Sequence, residues 1–129
     1  ENTVAYFNLD MVGTGSGLSV GGIDSFPRIR SCFTDANDSY IHRPFRSSEY
    51  RSPGVGRPRS DAVIFKRAGV TSFSVGTFYQ KGEKRKPMYY HHPLDNIDTI
   101  MPEIMEDVAK MLFLGISNMA AAETLNEVK

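Results

Sequence analysis

Residues 3–17 read Thr-Val-Ala-Tyr-Phe-Asn-Leu-Asp-Met-Val-Gly-Thr-Gly-Ser-Gly. Thr3 to Leu9 is uncharged, β-branched and aromatic, the composition of a buried strand. The strand is predicted to end at Asp10-Met11-Val12, and the glycine alternation after it to form a flexible turn. No helix follows Gly13-Gly15-Gly17 directly, so the alternation is not a dinucleotide-binding fingerprint. A strand that closes on a carboxylate sets the frame for the rest, because ligands gather at strand ends in α/β sheets.

Outward from this stretch, Leu18-Ser19-Val20 is a short second strand closed by Gly21-Gly22. Ser25 is placed to cap a helix with Pro27 in its first turn, and Ile29, Cys32, Phe33 and Ala36 fall at helical spacing. Residues 43–59 carry five Arg, three Pro and two Gly without periodicity, and read as one long Arg-rich loop. Ser60 suits the N-cap of a short helix ending at Gly69, a residue able to take the left-handed C-terminal position. Val70 to Phe78 is the next strand, and Pro102 to Ala122 the longest helix. Its predicted apolar stripe is Ile104, Val108, Met111, Leu112, Ile116 and Met119. Strands separated by helices indicate an α/β sandwich.

The 129 residues fit one domain, 1–129, long enough to bury a core. Ordinary apolar content and no run of transmembrane length predict a soluble globular piece with no membrane span. The chain opens at Glu1, without Met and hard against a strand, which leads to the expectation of a longer protein. A single cysteine, Cys32, excludes an internal disulfide and a Cys-based zinc site, and is expected to be a small apolar packer. The net charge of zero conceals a division: residues 28–86 hold 13 Lys and Arg against 5 Asp and Glu, the remainder 2 against 10. The Lys84-Arg85-Lys86 run has no stacking platform for bases nearby, so the basic part is read as solvated loops and not a nucleic-acid surface.

Two places could carry chemistry. Asp10 lies at a strand end with an apolar residue on each side, where it either caps the following turn or binds a cation. Tyr90-His91-His92-Pro93-Leu94-Asp95 offers imidazoles suited to zinc, with Asp95 able to orient one of them or to cap the turn before the last helix. Read singly, each is as well explained by a turn or an exposed loop. His42 is expected to face solvent. The self-contained hydrolase, P-loop and zinc-helix motifs are absent.

Three ordered segments together resemble the di-zinc aminopeptidases of peptidase family M28, the group of bacterial leucyl aminopeptidases. Asn8-Leu9-Asp10-Met11-Val12-Gly13 is similar to that family's N-x-D-M-x-G segment. Ser60-Asp61-Ala62-Val63-Ile64-Phe65 with Ala68-Gly69-Val70 resembles its S-D-H-x-x-F…G-I-P segment, and Tyr90-His91-His92-Pro93-Leu94-Asp95 its Y-H-T-P-x-D segment. The resemblance covers nearly the whole chain. It implies part of a three-layer α/β/α sandwich with a mixed sheet, in a domain about twice this length.

By the same resemblance Asp10 binds one zinc and His91 the other, with His91 preferred to His92 by register. Tyr90 matches a tyrosine that contacts the developing oxyanion in some members. Asp95 becomes a supporting or capping residue and Asp61 a structural carboxylate, although its usual His partner is Ala62 here. The remaining ligands and the general base belong to upstream sequence, so two zinc ions are expected in the full-length enzyme and weak or no binding, and no activity, in this piece alone. Substrates would be peptides with a free N-terminus, and family habit implies an exported or periplasmic location. Two other readings share parts of this pattern: a glutaminyl-cyclase-like enzyme with a single zinc, and a non-catalytic, partner-binding peptidase-like domain. The retention of both Asp10 and His91 argues against the second.

Overall fold

The computed structural model describes residues 3–50, 60–85 and 89–121. The chain runs β1 (Ala5–Leu9), β2 (Gly17–Gly21), α1 (Pro27–Ala36), β3 (Phe45–Ser48), α2 (Ala62–Arg67), β4 (Thr71–Phe78) and α3 (Pro102–Ala121). One four-stranded sheet has the order β1-β4-β2-β3. Here β4 runs parallel to β1 and antiparallel to β2, while β2 and β3 are parallel, so the sheet is mixed as expected.

Successive side chains on a strand point to opposite faces, and β1 shows where the helices lie. Phe7 meets Phe33 of α1 with ring centroids 5.5 Å apart, while its neighbour Tyr6 stacks on Phe65 of α2 at 3.8 Å. Thus α1 and α2 cover opposite faces, giving the helix–sheet–helix layering. The α1 face is the core: Leu18, Val20, Phe73 and Val75 from the sheet pack with Ile29 and Phe33 of α1 and with Ile104, Val108 and Met111 of α3. Cys32 is half-buried and packs against this core.

Four local expectations are corrected. Residues 45–48 of the expected long loop form β3, with Phe45 and Ser47 half-buried and Arg46 and Ser48 exposed. This period of two is short and only becomes a strand through pairing with β2. Pro44 precedes it at the sheet margin, where a missing N–H costs nothing. Residues 51–59 of that stretch, the predicted end of α3 at Ala122, and Lys86 of the basic run lie outside the described residues. Ser25 does not cap α1: Phe26 holds that position without a side-chain bond, and the Ser25 hydroxyl donates to the Glu49 carboxylate at 2.6 Å. Helix α2 likewise starts after Asp61, not on a Ser60 cap.

The fourth concerns the stripe of α3. Ile116 is 40 % exposed, and the buried position one residue earlier is Gly115. A Cβ there would stand 2.5 Å from the Phe33 ring, so the glycine is what lets α1 and α3 approach. A second brace ties α3 to the lead-in of β3. Arg43 Nε donates to Asp107 Oδ2 at 2.8 Å, and the buried Asn37 amide donates to the Arg43 carbonyl at 2.9 Å. Gly115→Ala gains about 1 kcal/mol of helix propensity but overpacks a closed contact at a cost of about 1–3 kcal/mol. We expect a net loss of stability in urea denaturation, and a Gly115→Ala/Phe33→Leu double variant that loses less than the sum of its parts.

Candidate functional site

The face of the sheet turned away from the core is covered by α2 only at one end. Beyond it, the registers bring two rows of small polar residues into line. Asn8, Ser74, Gly21 and Ser48 form one row across β1, β4, β2 and β3, and Gly76, Ser19 and Arg46 form the next. These residues floor a cleft of about 430 Å³, which Ser60 borders from the start of α2. Asp10, one residue past the end of β1, borders it as well. It therefore sits at the carboxyl end of a parallel strand, the place where open α/β sheets bind ligands.

A second cleft of about 620 Å³ adjoins the first, and Asp10, Arg46 and Gly76 line both. Its other walls bring Tyr90 and Asp95 to the same space as Asp10, together with Phe78, Tyr89 and Arg85. His91 lines neither cleft; its ring lies 3.9 Å from that of its chain neighbour Tyr90, which does line this one. Asp61 lines neither cleft. It is exposed at the start of α2, where its carbonyl accepts from the Ile64 amide.

The side chains around this rim divide into engaged and unengaged groups. His92 is held in its own turn: Nδ1 accepts from the Leu94 amide at 3.1 Å, and its carbonyl accepts from Asp95 N at 2.9 Å. Asp95 Oδ1 accepts from the Thr99 hydroxyl at 3.4 Å, and the one-turn helix Ile97–Thr99 is capped by Asn96, not by Asp95. Asp10 and His91 are exposed, and their side chains have no hydrogen-bond partner among the described residues. An open carboxylate and an open imidazole are donors of the type zinc takes. Among the described residues no three His, Cys, Asp or Glu side chains converge, so these two fit as part of a ligand set and not as a complete one.

Backbone conformation marks the same two places. Only three described residues other than glycine have positive φ: Met11 at 55°, His91 at 55° and His42 at 60°. His42 is exposed and ends the helical segment Asn37–Ile41, an ordinary place for a left-handed residue. Met11 directly follows Asp10, and His91 is itself a candidate ligand. Left-handed residues with a Cβ cost on the order of 1–2 kcal/mol and cluster where a site dictates the backbone. Nothing in the sequence pattern announced this strain.

The loops flanking the site are clasped together. The Ser16 hydroxyl donates to the Glu83 carboxylate, and the Gln80 amide donates to it at 2.7 Å. These bonds, the Ser16 hydroxyl first, hold the Glu83 carboxyl below the usual carboxylate range. The clasp is thus complete at neutral pH and is lost only as pH falls through that lowered value. Sequence reasoning missed Arg46. Its one available signal was the Phe45/Ser47 against Arg46/Ser48 alternation.

A sequence model described as peptidase family M28 matches residues 1–115. Among solved structures, the zinc aminopeptidase BSAP from Bacillus subtilis is similar with a TM-score of 0.63 and 23 % identity, over 93 % of this chain and 29 % of that one. The LapA aminopeptidase of Legionella pneumophila is similar with a TM-score of 0.61 and 20 % identity, over 92 % of this chain and 31 % of that one. The chain therefore spans about three-tenths of the length of these structures, and the likeness establishes the α/β fold. No curated protein matches the chain.

The strain at Met11 has a direct test. Met11→Gly relieves the left-handed conformation and Met11→Ala does not, so the glycine variant should be more stable than the alanine variant by about 1 kcal/mol in chemical denaturation.

Proposed function

The chain belongs to peptidase family M28, and from that premise we propose that it forms part of the catalytic domain of a zinc-dependent aminopeptidase. In this reading it contributes Asp10 and His91 to the metal site. The observation that carries the proposal is the shared cleft: Asp10, Tyr90 and Asp95 line one space at the carboxyl end of β1, and the His91 ring lies tilted against that of Tyr90 at 3.9 Å.

Each residue has a role its surroundings allow. The Asp10 carboxylate and the His91 imidazole, both open, hold zinc. When bound, zinc supplies Lewis-acid polarisation for attack by water on a peptide carbonyl. The Tyr90 phenol, 62 % exposed in the cleft, donates a hydrogen bond to the oxygen on which charge develops. Asp95, tied to Thr99, keeps the 91–95 turn in place from the cleft side. The free α-amine of a peptide substrate would lie near Asp10, with its first side chain directed into a cleft. The remaining ligands and the general base would come from sequence outside this chain, and the completed set would hold two zinc ions, so the 129 residues alone would not turn over.

Two measurements test this reading. In the full-length protein, His91→Ala should lose bound zinc and lower the rate of leucyl-anilide cleavage by about 100-fold or more. Unchanged zinc content together with an unchanged rate would remove the proposal. In the 129-residue chain, zinc followed by calorimetry should bind only weakly, because two donors offer little chelation. A tight stoichiometric site would mean that the ligands are arranged otherwise.

A further inference from the structure

We propose that Arg46 selects substrates carrying a carboxylate next to the scissile bond, so that this enzyme prefers acidic peptides. The inference rests on the peptidase reading and deepens it. Arg46 is the cation common to both clefts, and it shares them with Asp10. Its strand is paired along β2 in the register Ser19↔Arg46, which fixes where its side chain starts. Its guanidinium then lies 3.9 Å from the centroid of the Phe78 ring. An arginine held against an aromatic face has already lost much of its rotamer freedom, and its planar fork is ready for a bidentate partner.

Among the described residues no carboxylate pairs with Arg46, although Arg30, Arg43 and Lys110 each have one. Asp10 lines the same clefts but does not neutralise it. A cation kept unpaired, restrained and beside the proposed metal ligand is placed for an anionic group that arrives with the substrate.

The surroundings agree independently. The floor of the smaller cleft carries open hydroxyls: those of Ser19 and Ser74 lie on its face together with Asn8, and neither is bonded to another described residue. An apolar first side chain would desolvate these groups without replacing their hydrogen bonds, whereas a carboxylate would accept them. Gly76 keeps the floor open, since a Cβ there would come 3.3 Å from Ser19 Oγ. Arg85 adds a second positive charge to the wall of the larger cleft.

The carboxylate could belong to the side chain of the first residue or to the chain end of a short peptide, and two arms separate these sources. Full-length wild type, Arg46→Ala and Arg46→Glu are assayed on glutamyl-anilide against leucyl-anilide, and on leucyl-glycine against leucyl-glycinamide. In one arm the wild type should favour the carboxylate member. Arg46→Ala should lower that ratio of kcat/KM by roughly 10–100-fold, the worth of a hydrogen bond to a charged group. Arg46→Glu should shift preference towards lysyl-anilide, a gain that a misfolded variant could not show. Ratios within about twofold of wild type in both arms would overturn the proposal. If the wild type cleaves none of the substrates, the peptidase reading fails by itself, and calorimetry with free glutamate and free leucine still decides the role of Arg46. Glutamate bound by wild type and lost in Arg46→Ala upholds it; glutamate binding that is absent or indifferent to the substitution overturns it.

Discussion

The pairing of Phe7 with Phe73 across β1 and β4 is the contact from which the rest of the arrangement follows. Both rings enter the core beside Phe26 and Phe33, and their register decides which residues take the other face. Because side chains alternate along a strand, a slip of β1 by one residue against β4 would carry Asn8 into the core and Phe7 into the cleft. The same register puts Leu9 opposite Val75 and leaves Asp10 as the first residue beyond the paired ladder. Core and site are thus two consequences of one alignment. Since β4 pairs on its far side with β2, it also carries that alignment across to β3 and Arg46.

Much of this could be read in the sequence where the signal is local. The strand around Tyr6 and Phe7, the strand from Thr71 to Phe78 and the long last helix each announce themselves by composition or period. Asp10, Tyr90, His91 and Asp95 were found because three segments resemble a family, not because any one of them is distinctive alone. What escaped depends on pairing between distant residues. Arg46 looks like one more arginine among five in 43–59, and only its place opposite Ser19 singles it out. Gly115 counts for little in hydropathy, yet it is buried where Ile116 was expected, because close helix approach rewards a missing side chain. The left-handed backbone at Met11 has no counterpart in residue type, and at His91, a type that enters this region more readily than most, residue type alone does not single it out.

The rim is supported from several directions, which explains how exposed side chains can hold position. Ser16 and Glu83 join the turn after β1 to the loop after β4. The Thr77 hydroxyl donates to the Thr14 carbonyl in the same region, and the Met101 amide donates to the Gly13 carbonyl at 2.8 Å. On the other side, Asn37, Arg43 and Asp107 fix the entry to β3. The elements that carry Asp10 and Arg46 are therefore each tied to a partner far away in sequence, and the strained Met11 sits between tied segments instead of in a free loop.

Strand β1 stands at the end of the order β1-β4-β2-β3, with only β4 beside it among the described residues. Its outer margin presents a row of main-chain donors and acceptors, which is a template for another strand. A strand laid along that margin would convert Asp10 from a residue at the border of a sheet into one near its middle, flanked by two strand ends instead of one. Groups delivered by the end of the added strand would then lie beside Asp10. Any strand added at this margin would thus change the surroundings of Asp10 directly, because the open edge of the sheet and the carboxylate belong to the same strand and its end.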